Sequence, residues 1–498
     1  MKSTASKASL VIVLTLSIIT SSFPIAAQTK ATEESRKIKE LITRYNDQNR
    51  FHGVVLVAKN GEKIFSGGFG MANIEWNIPN SPDAKYMLAS VSKTFTATLV
   101  MRLIDQGKLS LDTKLSDALP WYRKDVGERV NIRQLLNHTS GIPNYMDMRF
   151  HSMDELNRDF GTSVINKIAF AKKYCQDNLE FEPGTKWNYN NSAYFLLGLI
   201  VEQVTGKPFD VAMKELVFDP LKMTNSGDIQ PDPEQVVQGL ATGYLKSNDG
   251  FHRAHYWNLS TAFAAGSLYS TLDDLLKFDQ ALYTSTFLSD KSKEAMFTPA
   301  INGYGCGWEL REIPLGPKSE VRKIQTHEGF LWVWHTRIFR IPEDGLFIMI
   351  ISNAGDSPLE KMFTGITDII YGREPVFPKP SLCAAVEKKY KTSGIDEAIS
   401  FGRTQLATNS QAWDTPENEF NALGYRFLQS GITNDAVKVF RWNTELHPGS
   451  WNVWDSYGES LYAAGDKQAA IEAYQKSIQL NPESKSGIEM LDKLKSGK

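Results

Sequence analysis

The chain has 498 residues, enough for about three folding units at the usual 100 to 200 residues each. Its 55 basic and 57 acidic residues nearly cancel and 42% of it is apolar, which argues against a disordered chain and against a nucleic acid or anionic membrane held by net charge. Cys175, Cys306 and Cys383 are widely spaced with no C-x-x-C pair; they read as small core residues rather than a disulfide framework or a zinc site, with a single disulfide as the alternative.

Lys2 and Lys7 precede the apolar run Leu10 to Ile19, then Ser21, Ser22, Phe23, Pro24 and Ile25-Ala26-Ala27, the order of a secretory signal peptide over residues 1–27. The run is roughly half the ~20 residues that span a bilayer, so no membrane anchor is expected after cleavage, and a periplasmic or secreted location follows. Helical spacing of Ile38, Leu41, Ile42 and Tyr45 predicts a helix over Glu33 to Asn49. Val54 to Ala58, Asn60-Gly61 and Lys63 to Phe69 then predict strand, tight turn and strand. Helical patterns dominate from Ser90 to Thr298, including a helix to Asp105 and one over Tyr194 to Val204 closed by Gly206. Strand character returns at Lys323 to Thr326, Leu331 to Ile341 and Leu346 to Ser352, with Pro342 to Gly345 as a hairpin turn, followed by a helix over Pro358 to Tyr371.

The simplest architecture over residues 33–374 is α+β. The early hairpin joins the late strands in one antiparallel sheet, helices flank it, and the middle of the chain forms a helical lobe with a cleft at the junction. Pro375, Pro378 and Pro380 mark a linker, 375–381. Beyond it an offset of 34 aligns Gly424 with Gly458, Gly431 with Gly465, Ala436 with Ala470, Phe440 with Tyr474, Leu446 with Leu480 and Pro448 with Pro482. That period resembles the tetratricopeptide repeat and predicts an all-α domain over 382–495, with Leu382 to Tyr390 and Ile395 to Ala407 as an atypical capping pair. This lobe is expected either to buttress the rest of the chain or to bind a protein partner.

Ser90-Val91-Ser92-Lys93 is the one S-x-x-K in the chain, and by itself it is a weak signal. Its context raises it. Ser90 sits where an amphipathic helix opens, so free backbone N–H groups and the helix dipole can stabilise an oxyanion. Lys93, one turn on, faces the same side, and burial lowers an amine's pKa toward the neutral, proton-accepting form. Tyr189-Asn190-Asn191 precedes the apolar helix and offers a phenol for proton transfer and an amide for substrate. His327-Glu328-Gly329 is placed where one predicted strand ends and the next begins. The glycine there admits close backbone approach, and the Phe330 N–H is a second oxyanion donor.

In this order, Ser90-x-x-Lys93, Tyr189-x-Asn191 and His327-x-Gly329, the chain resembles the β-lactamase-related serine hydrolases, a group of class C β-lactamases, D-alanyl-D-alanine carboxypeptidases, D-aminopeptidases and esterases. Leu135 to Ile142 and Ala265 to Thr271 share the likeness, which extends over about Ile38 to Tyr371. It implies a β-lactamase/transpeptidase-like fold and an exported enzyme that acts on an ester, amide or peptide through an acyl-serine. Ser90 is then the nucleophile, with Lys93 and Tyr189 sharing proton transfer. Asn191, His327, Gly329 and Phe330 bind substrate, and no cofactor or metal is implied.

The chain departs from the group at Glu328, where Thr or Ser is frequent. A glutamate facing the cleft would repel a substrate carboxylate, so the expectation is a poor β-lactamase that prefers substrates lacking one. His252 and His255 read as solvated, His138 as a structural hydrogen bonder, and Trp332 with Trp334 as one buried strand face. The competing reading is a catalytically silent receptor or scaffold whose repeats bind a protein.

Overall fold

The computed structural model describes residues 25–147, 165–229, 236–247, 250–254, 259–315, 318–355 and 357–496. Residues 1–24, much of Ile142 to Asp159 and parts of Gly227 to Trp257, His255 among them, lie outside that set. The chain divides into two compact units. One comprises the residues up to Ile42 together with Phe51–Pro375, and the other Thr43–Arg50 with Val376–Lys498.

In the first unit, helix α1 (Ile25–Asp47) contributes the fully buried Ile38, Leu41 and Ile42. Strands β1 (Gly53–Lys59) and β2 (Glu62–Phe69) follow, joined by Asn60 and Gly61 at φ 52° and 80°. Two successive left-handed residues make the tight turn whose twist matches a right-twisted hairpin. Helix α2 (Ser92–Asp105) and helix α3 (Asn191–Thr205, ended by left-handed Gly206) belong to the helical lobe. The remaining strands are β3 (Glu309–Pro314), β4 (Val321–Leu331), β5 (Trp334–Ile341) and β6 (Leu346–Ser352), and helix α4 (Leu359–Ile370) comes after them.

These strands form one antiparallel six-stranded sheet in the order β3-β4-β5-β6-β1-β2. The early hairpin pairs with the last strand, Val54 opposite Ile351 and Leu56 opposite Met349, as its sequence predicted. Both faces of the sheet are covered. Val54, Leu56, Ile338, Phe347 and Met349 share a core with Phe95 and Leu99 of α2 and Phe195 and Ile200 of α3. On the opposite face Phe339 stacks on Phe363 of α4, ring centroids 3.9 Å apart. Each fully buried side chain of this size contributes about 1.5–3 kcal/mol relative to exposure.

The strand boundaries differ from the sequence reading. His327-Glu328-Gly329 lies inside β4 rather than at a break, because the chain turns at Trp332, φ 59°. Trp332 is therefore a half-exposed turn residue, and only Trp334 is buried.

In the second unit, α5 (Leu382–Asn409) breaks at Gly394 into two segments. Helices α6 (Glu417–Gln429), α7 (Thr433–Leu446), α8 (Trp451–Ala463), α9 (Lys467–Leu480) and α10 (Lys485–Ser496) follow. The 34-residue offset is visible as packing. A methyl group at Gly424 would lie 2.5 Å from the Phe440 ring, and one at Gly458 would lie 3.1 Å from the Tyr474 ring, so each glycine seats the aromatic of the next helix. Cys175, Cys306 and Cys383 are all buried free thiols.

Candidate active site

Ser90 stands in a single 3-10 turn, Ala89–Val91, that runs straight into α2. Ala89 before it holds φ 49°, a left-handed conformation that L side chains adopt at a cost of order 1–3 kcal/mol and that recurs at functional turns. One helical turn on, the fully buried Lys93 places Nζ 3.1 Å from Ser90 Oγ, 2.8 Å from Asn191 Oδ1 and 2.8 Å from the Ala265 carbonyl oxygen. All three neighbours are neutral. Burial therefore holds the Lys93 ammonium well below the usual lysine range.

Tyr189 reaches the same point. Its ring centroid lies 4.9 Å from Lys93 Nζ, and its hydroxyl is near enough to the Ser90 side chain to interact with it. Burial pushes the phenol up, so it stays protonated at neutral pH, with the Ser90 contact opposing the shift. Asn191 opens α3, with Asn190 as N-cap, Oδ1 accepting from the Ala193 N–H. Ser90, Lys93, Tyr189 and Asn191, picked out by sequence, are thus brought together.

The β4 residues approach from the sheet. Gly329 is packed against the Ser90 turn, since a methyl group there would lie 2.2 Å from Thr336 Oγ1, 2.5 Å from the Leu88 carbonyl oxygen and 3.0 Å from the Ser90 nitrogen. The space freed by this glycine is filled by protein rather than left for substrate. His327 is buried with both ring nitrogens engaged: Nδ1 donates to the Glu328 carbonyl at 2.7 Å, and Nε2 accepts from the Tyr304 hydroxyl at 2.8 Å. Burial, helped by Lys93, pushes its pKa down to about 3.

Glu328, one residue on, points to the other face of the sheet. Its carboxylate binds His335 Nε2 at 2.7 Å and lies 3.4 Å from Arg337 Nη1. The argument that a cleft-facing Glu328 repels a substrate carboxylate is overturned by this orientation, and the preference it implied loses its basis.

A pocket with an empty volume of about 390 Å³ opens beside Ser90. Asn191, Tyr145, Met146, Ala262, Ala265 and Phe330 are among its lining residues, so it joins the helical lobe to β4. Sequence reasoning missed three participants. The Ala265 carbonyl acts through backbone, which no side-chain pattern records, although the stretch that carries it was visible. Tyr304 and Tyr145 stand in segments without a chemical motif.

An antiparallel sheet whose inner strand closes over a Ser-x-x-Lys turn, faced by a tyrosine and an asparagine from a helical lobe, is the β-lactamase/transpeptidase-like arrangement of a serine hydrolase. The chain belongs to the Beta-lactamase family, whose profile matches residues 38–368, and a Tetratricopeptide repeat profile matches residues 451–484. It is 29% identical over 409 residues to a penicillin-binding protein of Bacillus subtilis (strain 168), an alignment covering 77% of this chain and 86% of that one. It is 28% identical over 237 residues to a teichoic acid D-alanine hydrolase of Staphylococcus aureus, covering 47% of this chain and 55% of that one. The crystal structure of a penicillin binding protein from Bacillus halodurans superposes with a TM-score of 0.55 at 26% identity, covering 67% of this chain and 98% of that chain. Among the described residues no helix is long and apolar enough to cross a membrane.

Proposed function

We propose that the chain is an exported serine hydrolase that forms an acyl-serine on Ser90, with residues 33–374 as the catalytic domain and 382–495 as a repeat lobe that binds a protein partner. The carrying observation is the surrounding of Lys93 Nζ by Ser90 Oγ, Asn191 Oδ1 and the Ala265 carbonyl. A neutral amine has two hydrogens and one lone pair. With the hydrogens donated to Asn191 and Ala265, the lone pair is left for the Ser90 hydroxyl proton.

In the proposed reaction Ser90 Oγ attacks the substrate carbonyl carbon as its proton passes to Lys93. The oxyanion is met by the Ser90 and Phe330 N–H groups, which the close seating of Gly329 on the Ser90 turn brings near each other. Tyr189, kept protonated, donates to the departing alcohol or amine as the ester or amide bond breaks, and is reprotonated from Lys93. Water then attacks the acyl-serine and releases the acid. Asn191, its Oδ1 taken by Lys93, presents its amide N–H groups to the substrate. His327 shapes the site through Tyr304 and through the strand that carries Phe330. The similar teichoic acid D-alanine hydrolase and penicillin-binding proteins favour a D-alanyl ester, amide or peptide as the acyl donor. Export rests on the leader sequence.

The test is a side-by-side panel of p-nitrophenyl esters, D-amino-acid amides and D-Ala-D-Ala peptides with purified protein, together with a reactive phosphonate. Turnover of at least one class and a phosphonate adduct on the Ser90 peptide are expected, and Ser90→Ala removes both. Turnover by Ser90→Ala within about tenfold of wild type overturns the assignment.

A further inference from the structure

Four backbone polar groups flanking or belonging to Tyr189 are held by one loop, the stretch from Asn137 to Met146. The Asn188 N–H donates to the His138 carbonyl at 3.0 Å, and the Asn190 N–H donates to His138 Nδ1 at 3.1 Å, so a single residue grips both sides of Tyr189. Asn144 completes the grip. Its Nδ2 donates to the Tyr189 carbonyl at 3.3 Å, and its Oδ1 accepts from the Asn191 N–H at 3.2 Å. The His138 ring also touches the phenol it braces, with centroids 4.6 Å apart, and lies 4.6 Å from Tyr304, which binds His327.

His138 is a costly residue to place here. It is 1% exposed, its backbone holds φ 63°, and its Nε2 has no hydrogen-bond partner among the described residues. A buried polar atom left unpaired costs about 1–3 kcal/mol, and a non-glycine left-handed residue adds to that. Packing alone would be served better by an apolar side chain. What the imidazole supplies and an apolar group cannot is the Nδ1 lone pair directed at the Asn190 N–H.

We propose that His138, seconded by Asn144, is a positioning residue that fixes the Tyr189 hydroxyl over Ser90 for proton transfer. The inference rests on the reading of Tyr189 as proton donor. A displacement of about 1 Å at a reacting group costs on the order of 10²-fold in rate, and the brace acts on that scale.

The experiment is a double-mutant cycle on acylation kinetics. His138→Ala and His138→Asn both lose the ring, but only Asn keeps an acceptor atom at the Nδ1 position and tolerates the left-handed backbone. In otherwise wild-type protein, His138→Ala is expected to lower kcat by about 10²-fold with KM within about threefold, and His138→Asn to recover most of that loss. In a Tyr189→Phe background His138→Ala should change kcat by less than about threefold, because the group it positions is gone. Equal losses in the two backgrounds, or equal losses for Ala and Asn, overturn the proposal. A Tyr189→Phe protein within about twofold of wild type overturns the underlying reading instead. Should His138→Ala not fold by near-ultraviolet circular dichroism, the cycle is run with Asn144→Ala and judged by the same criterion.

Discussion

The two faces of β4 place opposite electrostatics one residue apart. His327 faces the Ser90 turn, where Lys93, Tyr189, Tyr304 and His138 are packed together and burial drives each toward its uncharged form. Glu328 faces α4, where two arginines, Arg311 and Arg337, bind the carboxylates of Glu309 and Glu360, and Arg337 and His335 bind Glu328. One face removes charge by burial, as the proposed proton transfers require. The other pairs charge so that the strand carrying the Phe330 N–H is held in place. Strand alternation makes this separation, and the difference between the faces can be probed by substitution on each.

The largest effect belongs to the neutral face. Lys93→Arg puts a permanently protonated group where a lone pair is needed, so kcat/KM should fall by roughly 10³-fold with the fold retained. In wild type the sign follows from the lowered Lys93 pKa. Activity is full above that pKa and is lost as pH falls through it. Burial holds His327 down at about 3, so it is neutral at neutral pH, and His327→Asn should leave the acid limb of the pH profile in place. A limb that disappears in His327→Asn would move the titrating role from lysine to histidine.

Next is the seam between the faces. Gly329→Ala introduces a methyl group 2.2 Å from Thr336 Oγ1 and 2.5 Å from the Leu88 carbonyl, so the strand and the Ser90 turn must separate. A loss in kcat of about 10²-fold is expected, read by burst kinetics, with phosphonate labelling slowed in proportion. Wild-type labelling rates in Gly329→Ala would show that the seam does not set the oxyanion site.

On the charged face the effect moves from rate to stability. Arg337 is almost fully buried and lies within 3.4 Å of Glu309, Glu328 and Glu360. Arg337→Met leaves those carboxylates to Arg311 and His335. The carboxylates are part-exposed, so the cost should be about 2 kcal/mol, below the 3–5 for breaking a fully buried pair. Denaturant melts measure it, and kcat should change by less than the Gly329→Ala variant shows.

What the sequence made legible follows the range over which each feature is encoded. Ser90 and Lys93 share a face because three residues make nearly a turn, a local rule. The repeat was legible as glycine and aromatic positions recurring together, and Gly424 on Phe440 and Gly458 on Tyr474 are its physical content. The convergence on Lys93 Nζ was legible only through a family resemblance, since Asn191 and Ala265 come from 98 and 172 residues away. The orientation of Glu328 was illegible for a simpler reason. Alternation assigns faces only once the strand's limits are known, and a strand continuing to Leu331 was read as ending at Thr326.

That misreading defines the smallest expected effect and the finest test of the comparison. A Glu328 facing the cleft would oppose a substrate carboxylate, and Glu328→Gln would then lower KM for D-Ala-D-Ala peptides selectively over neutral p-nitrophenyl esters. With Glu328 bound to His335 on the far side of the sheet, the substitution should move both KM values by less than about twofold. Its signature is in stability instead. The hydrogen bond from His335 holds the Glu328 carboxyl below the usual range, so its contribution is present above the unfolded carboxyl pKa and is lost as pH falls through the lowered folded one. The difference in melting temperature between wild type and Glu328→Gln should therefore shrink on acidification through that window. A difference that stays constant across it would mean the pair contributes by shape rather than by charge, and a selective change in KM for the carboxylate substrate would return Glu328 to the catalytic face.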